Sequence, residues 1–162
     1  MPLIKKLMLF PLVLSMSSFA AEQQSISKSY LYGDWHCQYE GVDTKTKMKA
    51  KIDYKINFMR TGKTSGGGSL LLSVPNFPQL EYRLTDNSAW QINGSKLTLS
   101  STDISAVNVS HPELDKFFNL KKIIPSNISE SSTVITLTKA HLKVQSDSDG
   151  RIYSCNKIAS KG

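Results

Sequence analysis

From Leu31 onward, apolar and polar residues alternate with a period of two over most of the chain. That is the pattern of strands with one buried and one wet face. Leu31, Gly33, Trp35, Cys37 and Tyr39 share one face of a first strand, with Tyr32, Asp34, His36, Gln38 and Glu40 on the other. The cleanest alternation sets Met48, Ala50, Ile52, Tyr54, Ile56 and Phe58 against Lys47, Lys49, Lys51, Asp53, Lys55 and Asn57. Residues 60–68 (RTGKTSGGG) predict a glycine-rich turn. Leu70, Leu72 and Val74 predict a strand broken by Pro75 and Pro78, and Leu80, Tyr82 and Leu84 another. Thr85-Asp86-Asn87 reads as a turn. Trp90 and Ile92 lead into Asn93-Gly94, a strong signal for a type I′ hairpin, and Leu97 and Leu99 return from it. Ile104 and Ala106 predict one more strand.

A helix over residues 111–121 interrupts the pattern. Ser110 to Glu113 has the spacing of a capping box, with Pro112 in the first turn. Leu114, Phe117 and Phe118 then recur at helical spacing, and Pro125 marks the end. Strands resume at Thr133, Ile135 and Leu137, continue at Leu142 and Val144, and end at Tyr153 and Cys155 after a turn at residues 147–150. There is no βαβ rhythm and no internal repeat. The expectation is a mainly β domain over residues 30–158, an antiparallel up-and-down barrel of about 8–10 strands. Closing the sheet removes the edges that a small all-β protein must otherwise protect.

Two features place the chain in a compartment. Residues 1–20 carry Lys5 and Lys6, then the apolar run LMLFPLVLSM, then Ser18-Phe19-Ala20, the three parts of a bacterial secretory signal peptide. The apolar run is short of the ~20 residues that span a bilayer. The expected location is the periplasm, with an inner-membrane anchor through an uncleaved leader as the alternative. Residues 21–29 are polar and read as a flexible lead-in. Cys37 and Cys155 are the only cysteines, and in an oxidising compartment two cysteines usually pair. A bond between them fastens the first strand beside the last, as barrel closure requires. Replacing either is expected to lower stability while leaving any binding surface intact. The alternative is a reactive Cys37 thiol beside His36.

Charge adds little. Loss of Lys5 and Lys6 with the leader lowers the net charge from +7 to +5, which does not suggest a nucleic-acid partner. Lys47, Lys49, Lys51 and Lys55 form a basic face that suits either an anionic partner or the protection of a strand from aggregation. No catalytic set is expected. Gly62-Lys63-Thr64 lacks the glycine spacing of a phosphate loop. His36, His111 and His141 are scattered without metal-ligand spacing, and Asp147 with Asp149 falls short of a calcium loop. No cofactor or metal is implied. Trp35, Tyr39, Tyr54, Phe58, Tyr82 and Trp90 fall on apolar strand faces. They fit ordinary core packing or the wall of a pocket for one small apolar ligand. Phe117 and Phe118 are candidates to cap one mouth of the barrel.

Gly33-Asp34-Trp35 resembles the Gly-X-Trp signature of lipocalins and calycins. That resemblance implies an up-and-down barrel around an apolar pocket, although here the helix falls between strands. A second resemblance covers more of the chain. Phe58 with Gly62, Trp90-Gln91-Ile92 with Leu97, the helical stretch with Leu114, and Ile135-Thr136-Leu137 with Leu142 are similar in spacing to a known family. These are the small periplasmic accessory subunits of membrane-spanning winged-helix transcription regulators, the ToxS, VtrC and PsaF type. It implies a non-enzymatic lipocalin-like domain that binds and stabilises a regulator's periplasmic domain, and in some members shares a bile-salt pocket with it. The alternative is a freestanding binder of small hydrophobic ligands or a barrel-type protease inhibitor. Membrane contact is expected only through the partner or an uncleaved leader.

Overall fold

A computed structural model describes residues 26–117 and 128–159. Eight antiparallel strands follow one another in chain order and close into a barrel. They are β1 (Gly33–Val42), β2 (Lys49–Phe58), β3 (Lys63–Ser73), β4 (Leu80–Asn93), β5 (Lys96–Asn108), β6 (Ile128–Leu137), β7 (His141–Ser146) and β8 (Ile152–Lys157). The mainly β, antiparallel up-and-down barrel expected from the alternation is therefore present. Closure is made by β1 and β8, which pair from Trp35 with Lys157 to Gln38 with Ser154. Cys37 stands directly opposite Cys155 in that ladder and is disulfide-bonded to it, with 4.0 Å between their Cα atoms. The bond excludes a free thiol at Cys37.

Four local expectations are corrected. Thr85-Asp86-Asn87 is not a turn. β4 runs through it in register with β3 and β5, and the alternation continues inward as Tyr82, Leu84, Asp86, Ser88 and Trp90. Two polar residues at inward positions imitated a break. A register shift between Asn87 and Ser88 absorbs one extra residue of β5, as a bulge does. The same continuity carries Ile104 and Ala106 as part of β5. The glycine-rich turn shrinks to residues 59–62, and Gly66, Gly67 and Gly68 lie within β3. The β4–β5 hairpin turns on Gly94 and Ser95, with Asn93 paired to Lys96. Only Gly94 has a positive φ, 58°, so glycine leads the turn as in type II′, not type I′.

The fourth correction concerns the helix. Residues 112–116 form a 3₁₀ turn, Pro112–Lys116, whose N-cap is His111 without a side-chain cap bond. The Ser110 hydroxyl does not close a capping box, because it accepts the Glu81 N–H at 2.8 Å. The remainder of the expected helix, with Phe118, lies outside the described residues, as do the leader and residues 21–25.

The barrel has two interior clusters. At one end, where a 3₁₀ turn (Lys28–Tyr30) leads into β1, Leu31, Trp35, Phe58 and Trp90 pack into a floor. Gly33 opens β1 with a φ of 106°, a conformation glycine adopts without strain. The Trp35 indole N–H donates to the Leu31 carbonyl at 2.7 Å. Lys157, from the far end of the chain, lies 4.7 Å over the Trp35 ring and donates to the Tyr30 carbonyl at 2.7 Å. This cation–π contact and charge-assisted bond tie the end of β8 to the floor and to the turn before β1. Toward the other end, Leu70, Leu72, Leu80, Tyr82 and Ala106 form a second cluster, against which Leu114 packs.

Candidate functional site

Between the two clusters lies a cavity of about 330 Å³, at the small end of the ~300–1,000 Å³ usual for ligand pockets. Phe58, Leu97 and Leu142 line its floor side, and Ile56, Leu99 and Val144 its flanks, while Ile52, Leu84, Ile104 and Ile128 line it from β2, β4, β5 and β6. Cys37 and Cys155 also line it. The disulfide is thus part of the interior wall of the cavity.

The glycine run of β3 explains one wall. Tyr54 on β2 pairs with Gly68, and Asp86 on β4 pairs with Gly66. A Cβ on Gly66 would overlap the Tyr54 ring, with Cε1 at 2.6 Å, and one on Gly68 would meet the Tyr54 Cα at 2.7 Å. Because β3 lacks side chains here, the ring lies across it and the Tyr54 hydroxyl donates to Asp86 Oδ1. The Ser88 hydroxyl donates to Asp86 Oδ2 at 2.6 Å, and Ser101 Oγ stands 3.3 Å from the same oxygen. Burial, reinforced by the Asp86 carboxylate, pushes the Tyr54 phenol well above its ordinary range, so this hydroxyl stays a donor at any physiological pH.

A second carboxylate faces the cavity from β6. Glu130 pairs in register with Leu99 of β5, one inward position from Ser101. Its Oε1 accepts from Ser146 at 2.6 Å and Ser148 at 3.3 Å. Tyr153 stacks on Tyr39 with ring centroids 5.1 Å apart, and burial together with the Asp149 and Glu130 charges raises its phenol. Arg151 lies 5.7 Å from the Tyr39 ring and is bonded to Asp149 at 3.2 Å.

Of the residues expected at a pocket, Tyr39, Tyr54 and Phe58 line the cavity. Trp35 and Trp90 are floor instead. Trp90 packs edge-on against Phe58 at 5.4 Å and donates to the Met59 carbonyl at 3.0 Å. Tyr82 belongs to the second cluster, where it and Asn108 hold Asp115 of the 3₁₀ turn. Phe117 does not cap the mouth. It is 63% exposed, and Leu114 makes the inward contact. The basic face is interrupted. Lys49, Lys51 and Lys55 are exposed on β2, but Lys47 sits in the β1–β2 turn at a φ of 60°. Between them Asp53 accepts from Gln38 at 2.9 Å and lies 2.8 Å from His36 Nε2. Lys51 is opposite Glu40.

Sequence reasoning missed Asp86, Glu130 and Lys157. Strict period-two counting from Tyr82 to Trp90 would have turned Asp86 inward, whereas no local signal marks Glu130 or brings Lys157 to Trp35. Among the described residues no group of His, Cys, Asp and Glu is arranged to hold a metal ion, and no helix is long and apolar enough to cross a membrane. No protein-family model matches the chain, and no curated protein is significantly similar to it.

Proposed function

We propose that this is an exported, non-enzymatic binding protein that holds one small apolar molecule inside its barrel. The observation that carries this reading is the cavity of about 330 Å³ bounded by Phe58, Leu97, Leu99, Leu142 and Val144. A domain of this size has a limited core, and space left unfilled at its centre forfeits packing contacts. An apolar ligand would restore them. The disulfide supports the exported location, as does the leader-like N-terminus. The test is titration with N-phenyl-1-naphthylamine, a neutral probe that fluoresces in apolar surroundings. One saturable site per chain is expected. Fluorescence no greater than with a filled-core β protein of similar size would end this reading.

The accessory-subunit reading is favoured by a separate observation. β8 pairs with β1 only as far as Gln38, and β6 pairs with β5 only as far as Ser101. Among the described residues, Val42 and Val107 extend past these ladders and are 55% and 49% exposed. Strand edges of this kind accept a partner's strand by main-chain pairing. The partner would be the periplasmic domain of a membrane-bound regulator. Co-purification of tagged protein from membranes tests it, and recovery of a stable monomer with no regulator counts against it.

A further inference from the structure

The cavity's charge is unlike that of the chain. The whole sequence carries a net +7, yet the residues lining the cavity include Asp86 and Glu130 and, among the described residues, no Lys, Arg or His. Both carboxylates belong to one wall. Asp86 reaches Ser101 of β5 from β4, and Glu130 stands opposite Leu99 of β5 from β6. Asp86 is already supplied with hydroxyl donors by Tyr54 and Ser88. Glu130 is not: its Oε1 takes two serine hydroxyls, and its Oε2 accepts no hydrogen bond among the described residues. Arg151, outside the lining, is paired with Asp149 and also hydrogen-bonded to the cavity-lining Tyr153. Along β6 the inward order is Ile128, Glu130, Ser132. The carboxylate therefore lies nearer the mouth than the apolar floor at Leu97, which pairs with Ser132.

A ligand whose apolar body fills the floor brings its polar head to this wall. An anionic head there would add a third negative charge, with no Lys, Arg or His among the described lining residues to offset its lost hydration. A protonated amine would supply donors to Glu130 Oε2 and be attracted by both carboxylates. We propose that the cavity selects small amphipathic molecules with a protonated amine head and discriminates against those with an anionic head; this rests on the reading of the cavity as a ligand site. Bile salts and fatty acids, ionised at neutral pH, fall in the disfavoured class.

Octylamine, octanol and octanoate share one tail and differ in head charge, so their displacement of N-phenyl-1-naphthylamine at pH 7 separates the two ideas. Octylamine should compete at least tenfold more tightly than octanoate, with octanol between them. Glu130→Gln, which keeps the shape of a largely exposed side chain, should narrow the amine–carboxylate gap at least threefold with little change for octanol. Octanoate matching octylamine, or a gap that Glu130→Gln leaves intact, would overturn the charge selection while the cavity reading stands. Failure of octanol to compete at all would instead remove the cavity reading itself.

Discussion

At the floor of the barrel, Trp35, Phe58 and Trp90 bury their rings together, and each indole N–H finds a carbonyl. Further into the barrel, Tyr54, Leu99 and Val144 surround open space, and two carboxylates replace the aromatic packing. Both regions use the same alternating strands and the same ladder. They differ in which inward positions carry bulk. β3 offers Thr64 at the floor, then Gly66 and Gly68 beside the cavity, then Leu70 and Leu72 in the second cluster. A period-two pattern makes a barrel, but the sizes of the inward side chains decide whether the barrel is filled.

That contrast can be broken most forcefully at the disulfide, which belongs to both regions. It closes a loop of 118 residues, for which chain entropy predicts about 4–5 kcal/mol. The Cys37→Ala, Cys155→Ala protein should lose stability on that scale in urea unfolding and also bind the neutral probe more weakly. Undiminished binding would separate the disulfide from the cavity.

Paired truncations sharpen the contrast. Trp35→Ala removes a fully buried ring and should cost about 3–5 kcal/mol. Leu99→Ala faces space that is already open and should cost about 2 kcal/mol or less. Equal losses in calorimetry would mean that the two regions are packed alike.

The smallest effect is on the outer surface, where acidification should act without regard to floor or cavity. Hydrogen bonds from Thr46 hold the Asp43 carboxyl below its ordinary 3.8, as do those from Gln38 and His36 at Asp53 and from Lys96 and Thr133 at Asp147. The unfolded chain takes up these protons first as pH falls. Their stabilisation is therefore complete above about pH 4–5 and is lost as pH drops through the lowered folded values. All three lie at the surface, so the melting temperature should fall modestly below pH 4. A rise there would contradict the assignment.

Much of this was legible in the sequence because alternation and cysteine usage are local. The alternation alone puts Trp35, Cys37, Tyr54 and Phe58 on inward faces, where they lie. The cavity wall was harder to read, since Asp86 and Ser88 are polar at inward positions and so imitate a turn. The glycines of β3 likewise imitate a loop, and their purpose appears only once Tyr54 is seen lying across them. Lys157 and Trp35 meet through closure between β1 and β8, a contact that no window of neighbouring residues contains. Where the helix is expected, residues 112–116 form a 3₁₀ turn, with Ser110 engaged by Glu81 and not by a capping box, and Leu114 reaches the second cluster.

The account stands on the middle of the barrel being ligand space and not core. Leu99→Trp places an indole in that space, and its binding of N-phenyl-1-naphthylamine and its melting temperature measure the claim directly. The prediction is a variant that melts within about 3 °C of the parent, as a filled void allows, and that no longer binds the probe. A variant that unfolds readily, or one that binds as the parent does, would contradict it.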